Sequence, residues 1–306
     1  MRSVIGAVDI GGTKIATGAV TDTGEVLGRA ECPTAPRDGF AAAMQRTAAM
    51  LREVSRQSGA GYRGIGVACP SPLDPFAGIL GEVGTLPGWQ GGNIVAALSR
   101  EFSVPIAVEN DADSAALAEV AWGTAQGGKN FIYVTISTGV GAGVVLAGEL
   151  YRGAGGAHPE IGHHVLDWSG PACYCGARGC WECLASGPAM SAWFGERNPQ
   201  AGSLSAAEIC ALARQGDELA LRAVEREGFY IGLGVANLVN LFLPDTIALG
   251  GGVMKSADLF LESIQRLVRE ICTQVPADKT TIAPASLRAD TGLAGAARAW
   301  MHRYCR

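Results

Sequence analysis

The sequence predicts an α/β protein of duplicated, two-lobed design, and three observations carry that prediction. The first is a repeated unit. VDIGGTKIATGAV near the start and VTISTGVGAGVVL in the middle each read as strand, Gly-rich turn, strand. Such a duplication implies two similar lobes, each turning a Gly loop toward one cleft. The second is the alternation of short apolar strands with helix-periodic stretches over 306 residues. The third is glycine: 43 residues, roughly twice the usual share of ~7%. They gather in short turns, which points to close backbone approach to ligands.

Residues 4–8 form the first strand and run into Asp9-Ile10-Gly11-Gly12-Thr13-Lys14. Alternation at Ile15, Thr17 and Ala19, then Asp22-Thr23-Gly24-Glu25, reads as a hairpin. A Gly-Gly turn beside Thr and Lys can present backbone N–H groups to a phosphate. An ordinary tight hairpin fits the same residues, and the Walker A spacing is absent. Apolar spacing over 40–57 (Phe40, Met44, Met50, Leu51, Val54) predicts a helix closing at Gly59. A strand over 64–68 leads to the Pro-stiffened Cys69-Pro70-Ser71-Pro72. A second loop, Thr85-Leu86-Pro87-Gly88-Trp89, is anchored by packing of Trp89.

The strand over 104–108 enters Glu109-Asn110-Asp111-Ala112-Asp113, ahead of an Ala-rich helix over 114–121. One of these polar residues serves as the helix cap. Four polar side chains in five residues exceed what a cap needs. Their place at the C-terminal end of a strand makes Asn110 and Asp111 site candidates. A strand over 131–136, the turn Ser137-Thr138-Gly139-Val140-Gly141 and a strand to 147 complete the repeat. Beyond residue 183, helices are expected over 205–214 and 218–240. The second is apolar on most of its circumference, Phe229 included, and is therefore expected to be buried. A strand over 246–249 enters Gly250-Gly251-Gly252-Val253. A helix over 256–273, an edge strand over 282–285 and a closing helix over 292–302 end the chain.

Residues 158–183, HPEIGHHVLDWSGPACYCGARGCWEC, carry the densest chemistry. They hold three of the four histidines, four of the nine cysteines and two glutamates. Cys173, Cys175 and Cys180 bracket a Gly-rich turn, with His163 or His164 upstream. Thiolates plus one imidazole are what tetrahedral zinc requires. Buried free thiols are the plainer alternative, but two glycines and an arginine make CYCGARGC a knuckle rather than a core segment. With all positions filled by protein, the metal would hold a loop rather than do chemistry. The loop it holds places Glu160 and Glu182 on either side.

Net charge is −5 with no basic cluster longer than a pair, so a nucleic-acid surface is not expected. No apolar run reaches the ~20 residues of a membrane span, and no leader is expected ahead of the first strand. An odd number of cysteines, partly clustered as ligands, suits a reducing cytoplasm.

These pieces together resemble the ROK family (repressors, open reading frames and kinases) over nearly the whole chain. The residues that carry the resemblance are Asp9-Ile10-Gly11-Gly12-Thr13-Lys14 and Ser137-Thr138-Gly139-Val140-Gly141, similar to its two phosphate loops. Gly250-Gly251-Gly252-Val253 is similar to its adenosine loop. Glu160-Ile161-Gly162-His163 and the run from Cys173 to Glu182 match its two signatures. The resemblance implies the actin-like (ribonuclease H-like) duplicated ATPase fold of the sugar-kinase type. Residues 1–120 would make a small N-terminal lobe, with the helix over 291–306 packing back on it. Residues 121–290 would make a larger lobe carrying the knuckle.

It further implies zinc on His163, Cys173, Cys175 and Cys180, and sugar hydroxyls on Asn110, Asp111, Glu160, His163 and Glu182. ATP phosphates and adenosine would meet Asp9, Gly11, Gly12, Thr13, Lys14, Thr138, Gly139, Gly251 and Gly252. Asp9 would reach Mg²⁺ through water. Asp111 would be the general base of a hexose kinase, glucose O6 being the leading acceptor. N-acetylmannosamine, N-acetylglucosamine and fructose are the alternatives. Thr85 and Ser71 stand where many relatives differ, and His158-Pro159 resembles the fructokinase-like branch. A sugar-responsive repressor needs a DNA-binding domain ahead of the first phosphate loop, where only eight residues stand. A homodimer is implied by family analogy.

Overall fold

Apolar residues on both faces make β1 (Ser3–Ile10) a central strand. Val4, Val8 and Ile10 pack to one side, Ile5 and Ala7 to the other. The chain is described here over residues 3–305 of a computed structural model. β2 (Lys14–Val20) and β3 (Val26–Pro33) follow antiparallel. α1 (Phe40–Ser58) covers this sheet with Met44 and Leu51 and closes at Gly59, whose φ of +63° is left-handed. β4 (Gly61–Cys69) returns parallel to β1. The small hairpin β5 (Leu73–Asp74) and β6 (Ile79–Leu80) and the short α2 (Ile94–Ser99) lead to β7 (Ile106–Asn110), parallel to β4. The sheet order is β3-β2-β1-β4-β7. α3 (Asp111–Trp122) starts three residues earlier than expected, because Asn110 is the cap and both Asp111 and Asp113 lie in the first turn.

The second sheet repeats that plan. β8 (Phe131–Ile136) pairs antiparallel with β9 (Val140–Leu146), which is followed by β10 (Glu149–Leu150). After the Cys-rich stretch come α4 (Trp181–Leu184), α5 (Gly187–Arg197), α6 (Ala206–Arg214) and α7 (Glu218–Phe242). Then β11 (Thr246–Gly250), α8 (Ala257–Ile271) and β12 (Thr281–Pro284) close a sheet of order β10-β9-β8-β11-β12. In each sheet the first strand of the repeat pairs antiparallel with the next and parallel with the fourth. α7 is buried through Ile231, Val235, Leu238 and Val239. Phe229, expected inside, is 47% exposed. It stands two positions from Ile231, ~200° around the helix, on the side away from the core.

α9 (Thr291–Tyr304) closes the chain on the first sheet. Leu293, Ala296, Ala297 and Trp300 pack with Ile5 and Ala7 of β1. Contact this close requires glycine on β4: a Cβ at Gly66 would strike the Ala296 carbonyl, and one at Gly64 the Trp300 ring. Glu119 of α3, fully buried, ties this return in place, accepting from Thr124 N at 2.8 Å, Ser286 Oγ at 3.1 Å and Leu287 N at 3.0 Å. The chain thus divides into two compact units of near-equal length. One comprises residues to Gly127, Leu150–Pro159 and Ser286 onward; the other comprises Gly128–Glu149 and Glu160–Ala285. Among the described residues no helix is long and apolar enough to cross a membrane.

A buried acid stands in the core of the second unit. Glu227 of α7 is fully buried, its oxygens make no hydrogen bond among the described residues, and its nearest cation, Arg226, is 4.0 Å away. Burial pushes its pKa well up, opposed by Arg226. The native state therefore holds a proton that the unfolded chain releases near pH 4.5, so stability falls as pH rises through that window. Denaturant melts should show Glu227→Gln gaining on the wild type by up to ~1.4 kcal/mol per pH unit above the ordinary carboxylate range. The two should converge toward pH 4.

Candidate active site

Parallel pairing sets the chemistry of the first unit. β1, β4 and β7 end side by side, with Asp9 opposite Ala68 and Ala68 opposite Glu109. The alternation of β1 turns Asp9 to the α9 side, and there Gly292 leaves room: a Cβ at that position would strike the Asp9 carboxylate. Burial first and Asp111 second raise Asp9 to about 6, against Lys14 and Arg29. Beyond it the turn is closed by Gly11 N donating to Lys14 O at 2.9 Å and by Thr34 Oγ1 donating to Gly11 O at 2.6 Å. Gly12 lies against Thr85, whose Cβ would be 2.8 Å from an added methyl. Thr13 and Lys14 are exposed, and Lys14 pairs with Glu31 at 3.0 Å.

Asn110 caps α3, its Oδ1 accepting from Ala112 N at 2.8 Å and Asp113 N at 3.1 Å, while Nδ2 donates to Ser71 Oγ at 2.8 Å. That leaves one amide hydrogen for anything else. Asp111, the next residue, is open to solvent. The surrounding protein mass still raises its pKa, with Asp113 adding to the effect and the Ala112 N–H and His158 opposing it.

Behind Asp111 lie two ion pairs that sequence reasoning did not find. Arg152 grips both oxygens of Glu109, which is 4% exposed. His158 Nδ1 lies 2.9 Å from Asp113 Oδ2, with side-chain exposures of 8% and 0%. Both bases come from residues 150–159, some forty positions downstream. No local pattern signals such a pairing.

In the second unit, the turn after β8 is closed by Ser137 N donating to Gly139 O at 2.8 Å. The N-terminus of α5 meets it, Gly187 N donating to Ser137 O at 2.8 Å. Gly251, at φ +91°, has no room for a Cβ beside the Ile136 backbone. Thr138 and Gly252 line a cavity of about 850 Å³ with Ser191, Ser205 and Lys255. Small, hydroxylated and glycine residues around that volume leave space and donors for a flat polar ligand. Lys255 and Ser191 were not among the expected residues, since neither belongs to a Gly motif.

The Cys-rich stretch brings together His163, Cys173, Cys175 and Cys180, their donor atoms all within 4.8 Å of one another. Cys173 Sγ lies 3.5 Å from His163 Nδ1, and Cys175 Sγ 3.6 Å from Cys180 Sγ. Ligands at zinc bond lengths span tetrahedral edges of ~3.6–3.8 Å, so the set fits that metal. His164 is outside it. Its Nδ1 faces Ile161 O at 2.6 Å and its Nε2 faces Asn237 Nδ2 at 3.1 Å. Those contacts, with Trp181 edge-on to His164 and seated against Gly234, fasten the stretch to α7. Cys183 turns to Ala172 O at 3.8 Å. Glu182 accepts from Val140 N at 3.0 Å, and its carboxylate fills the space that a side chain at Gly139 would need. Glu160 is exposed at the head of the same stretch.

The chain is 33% identical over 304 residues to a glucokinase of Halalkalibacterium halodurans, covering 94% of this chain and 92% of that one. Identity to a xylose repressor of Bacillus subtilis is 35% over 209 residues. That match covers 68% of this chain but 53% of the repressor, so the chain spans about half of that relative. Its fold is similar to the crystal structure of a ROK family glucokinase from Streptomyces griseus in complex with glucose and AMPPNP. The TM-score is 0.84 at 28% identity, with 96% of this chain and 98% of that one covered. The two repeated sheets are thus the actin-like arrangement of the sugar kinases. The family model of the ROK family matches residues 5–303, and the chain belongs to that family.

Proposed function

We propose that this protein is an ATP-dependent hexose kinase that transfers the γ-phosphoryl of MgATP to a sugar hydroxyl, with glucose O6 the leading acceptor. The observation that carries this reading is Asp111: a solvent-accessible carboxylate with raised pKa at the end of a parallel strand, in a chain similar to a glucokinase along 94% of its length. A carboxylate in that state takes the proton of an attacking hydroxyl, a contribution on the order of 10²–10⁴ in rate. Asn110, Glu160, His163 and Glu182 orient the sugar through its hydroxyls. The Gly11–Gly12–Thr13 turn with Lys14, and the Thr138–Gly139 turn, offer N–H groups and charge to the phosphates. Gly251 and Gly252 admit the adenosine. Mg²⁺ near Asp9 would neutralise developing phosphate charge. Zinc on His163, Cys173, Cys175 and Cys180 would stiffen the stretch that carries Glu160 and Glu182.

Similarity to a xylose repressor supports sugar binding without chemistry as a second reading. ATP consumption with glucose, fructose, mannose, N-acetylglucosamine and N-acetylmannosamine in parallel separates the two. One sugar standing out in kcat/KM establishes a kinase and its substrate. Binding without turnover on all five favours a sensor.

Asp111→Asn should keep sugar affinity within about twofold and lower kcat by at least ~10²-fold, the low end for a lost general base. Retained turnover would remove Asp111 from the role. In the wild type the acid limb of kcat should lie above the ordinary carboxylate range. Asp9 (about 6) and Asp111 both carry raised values, so their ionised forms, and activity with them, are lost as pH falls through those values. Metal analysis should find one zinc per chain. Cys180→Ser should lose that zinc and raise the sugar KM at unchanged ATP KM, and a normal sugar KM in zinc-free protein would refute the stiffening role.

A further inference from the structure

Tyr174, between two of the clustered cysteines, has a position that the metal set does not explain. Its hydroxyl lies 2.9 Å from Nε2 of His163, and the rings meet edge to face at 5.0 Å. The other ring nitrogen, Nδ1, is the one that faces Cys173. A metal held there leaves Nε2 as an N–H, a donor in want of an acceptor. The phenol oxygen accepts that hydrogen, and the Glu182 carboxylate, which takes the Val140 N–H, is near enough to act on it by charge. The residue as a whole is 83% exposed. Tyr174 therefore puts one polar atom among Glu160, His163 and Glu182 and leaves its ring in water.

We propose that Tyr174 is an internal occupant of the sugar site: its hydroxyl stands in for a sugar hydroxyl between His163 and Glu182 in the free protein and withdraws when sugar arrives. This rests on the reading of Glu160, His163 and Glu182 as sugar ligands. Displacement sacrifices almost no buried area, because the ring is already solvated. It trades its hydrogen bond to His163 for one made by the sugar. The stand-in keeps the His163 imidazole oriented while no sugar is bound. It also lowers apparent affinity by the fraction of molecules in which it is seated. The residue at this position thereby sets the sugar concentration to which the protein responds.

The test is calorimetric titration of glucose, fructose and N-acetylmannosamine into the zinc-replete full chain without ATP, wild type against Tyr174→Phe, with steady-state kinetics on both. Phenylalanine keeps the ring contact with His163 and removes the hydroxyl, and zinc content and circular dichroism report whether the variant is intact. The expected result is a Kd and sugar KM lower by about fivefold, the worth of one modest hydrogen bond, with kcat and ATP KM unchanged. Tyr174→Ala should show the same direction. A raised Kd would mean that the phenol holds the sugar directly, and an unchanged Kd that it competes with nothing; either overturns the proposal. No heat from either protein removes the sugar reading itself, whereas heat from the variant alone is the limiting case of a seated stand-in.

Discussion

Crowding and burial of carboxylates at the ends of parallel strands is the constraint on which the first unit depends. Asp9, Glu109, Asp111 and Asp113 are brought to one end of the sheet by the pairing of β1, β4 and β7 and by the first turn of α3. Burial disfavours the charged form of such groups unless they find partners. Residues 150–159 bring Arg152 to Glu109 and His158 to Asp113, while Asp9 and Asp111 carry raised pKa with no ion pair of their own among the described residues.

The second unit solves a different problem, that of holding a polar loop with little apolar surface of its own. Trp181 and His164 fasten the Cys-rich stretch to α7, where Gly234 makes room for the indole. Glu182 joins it to the turn after β8 through the Val140 N–H. Tyr174 in turn rests its hydroxyl on His163 Nε2.

Local patterns in the chain were sufficient for much of this. Helix α1 and its Gly59 stop, the antiparallel hairpin at the start and the Gly-rich turns follow from apolar period and backbone freedom, which act over a few residues. The three cysteines of the knuckle were legible for the same reason, lying within eight positions, whereas spacing alone left His163 and His164 open as the fourth member. Helix α3 was misjudged at its start because Asp and Asn compete for the cap, and only the hydrogen bonds of Asn110 decide between them. Phe229 was misjudged because hydrophobicity says that a side chain would rather be buried, not which side of a helix finds a neighbour.

By itself the sequence determined the duplicated α/β plan, the Gly turns, the cysteine knuckle and the family, since each is written in short-range spacing. Tertiary structure alone decided which acids are paired, which ring nitrogen of His163 faces the thiols, and that Tyr174 sits on the other. Those outcomes depend on contacts between residues such as Arg152 and Glu109, more than forty positions apart, and on burial created only when the strands assemble. Electrostatic state is a property of the assembled surroundings, so no local pattern encodes it.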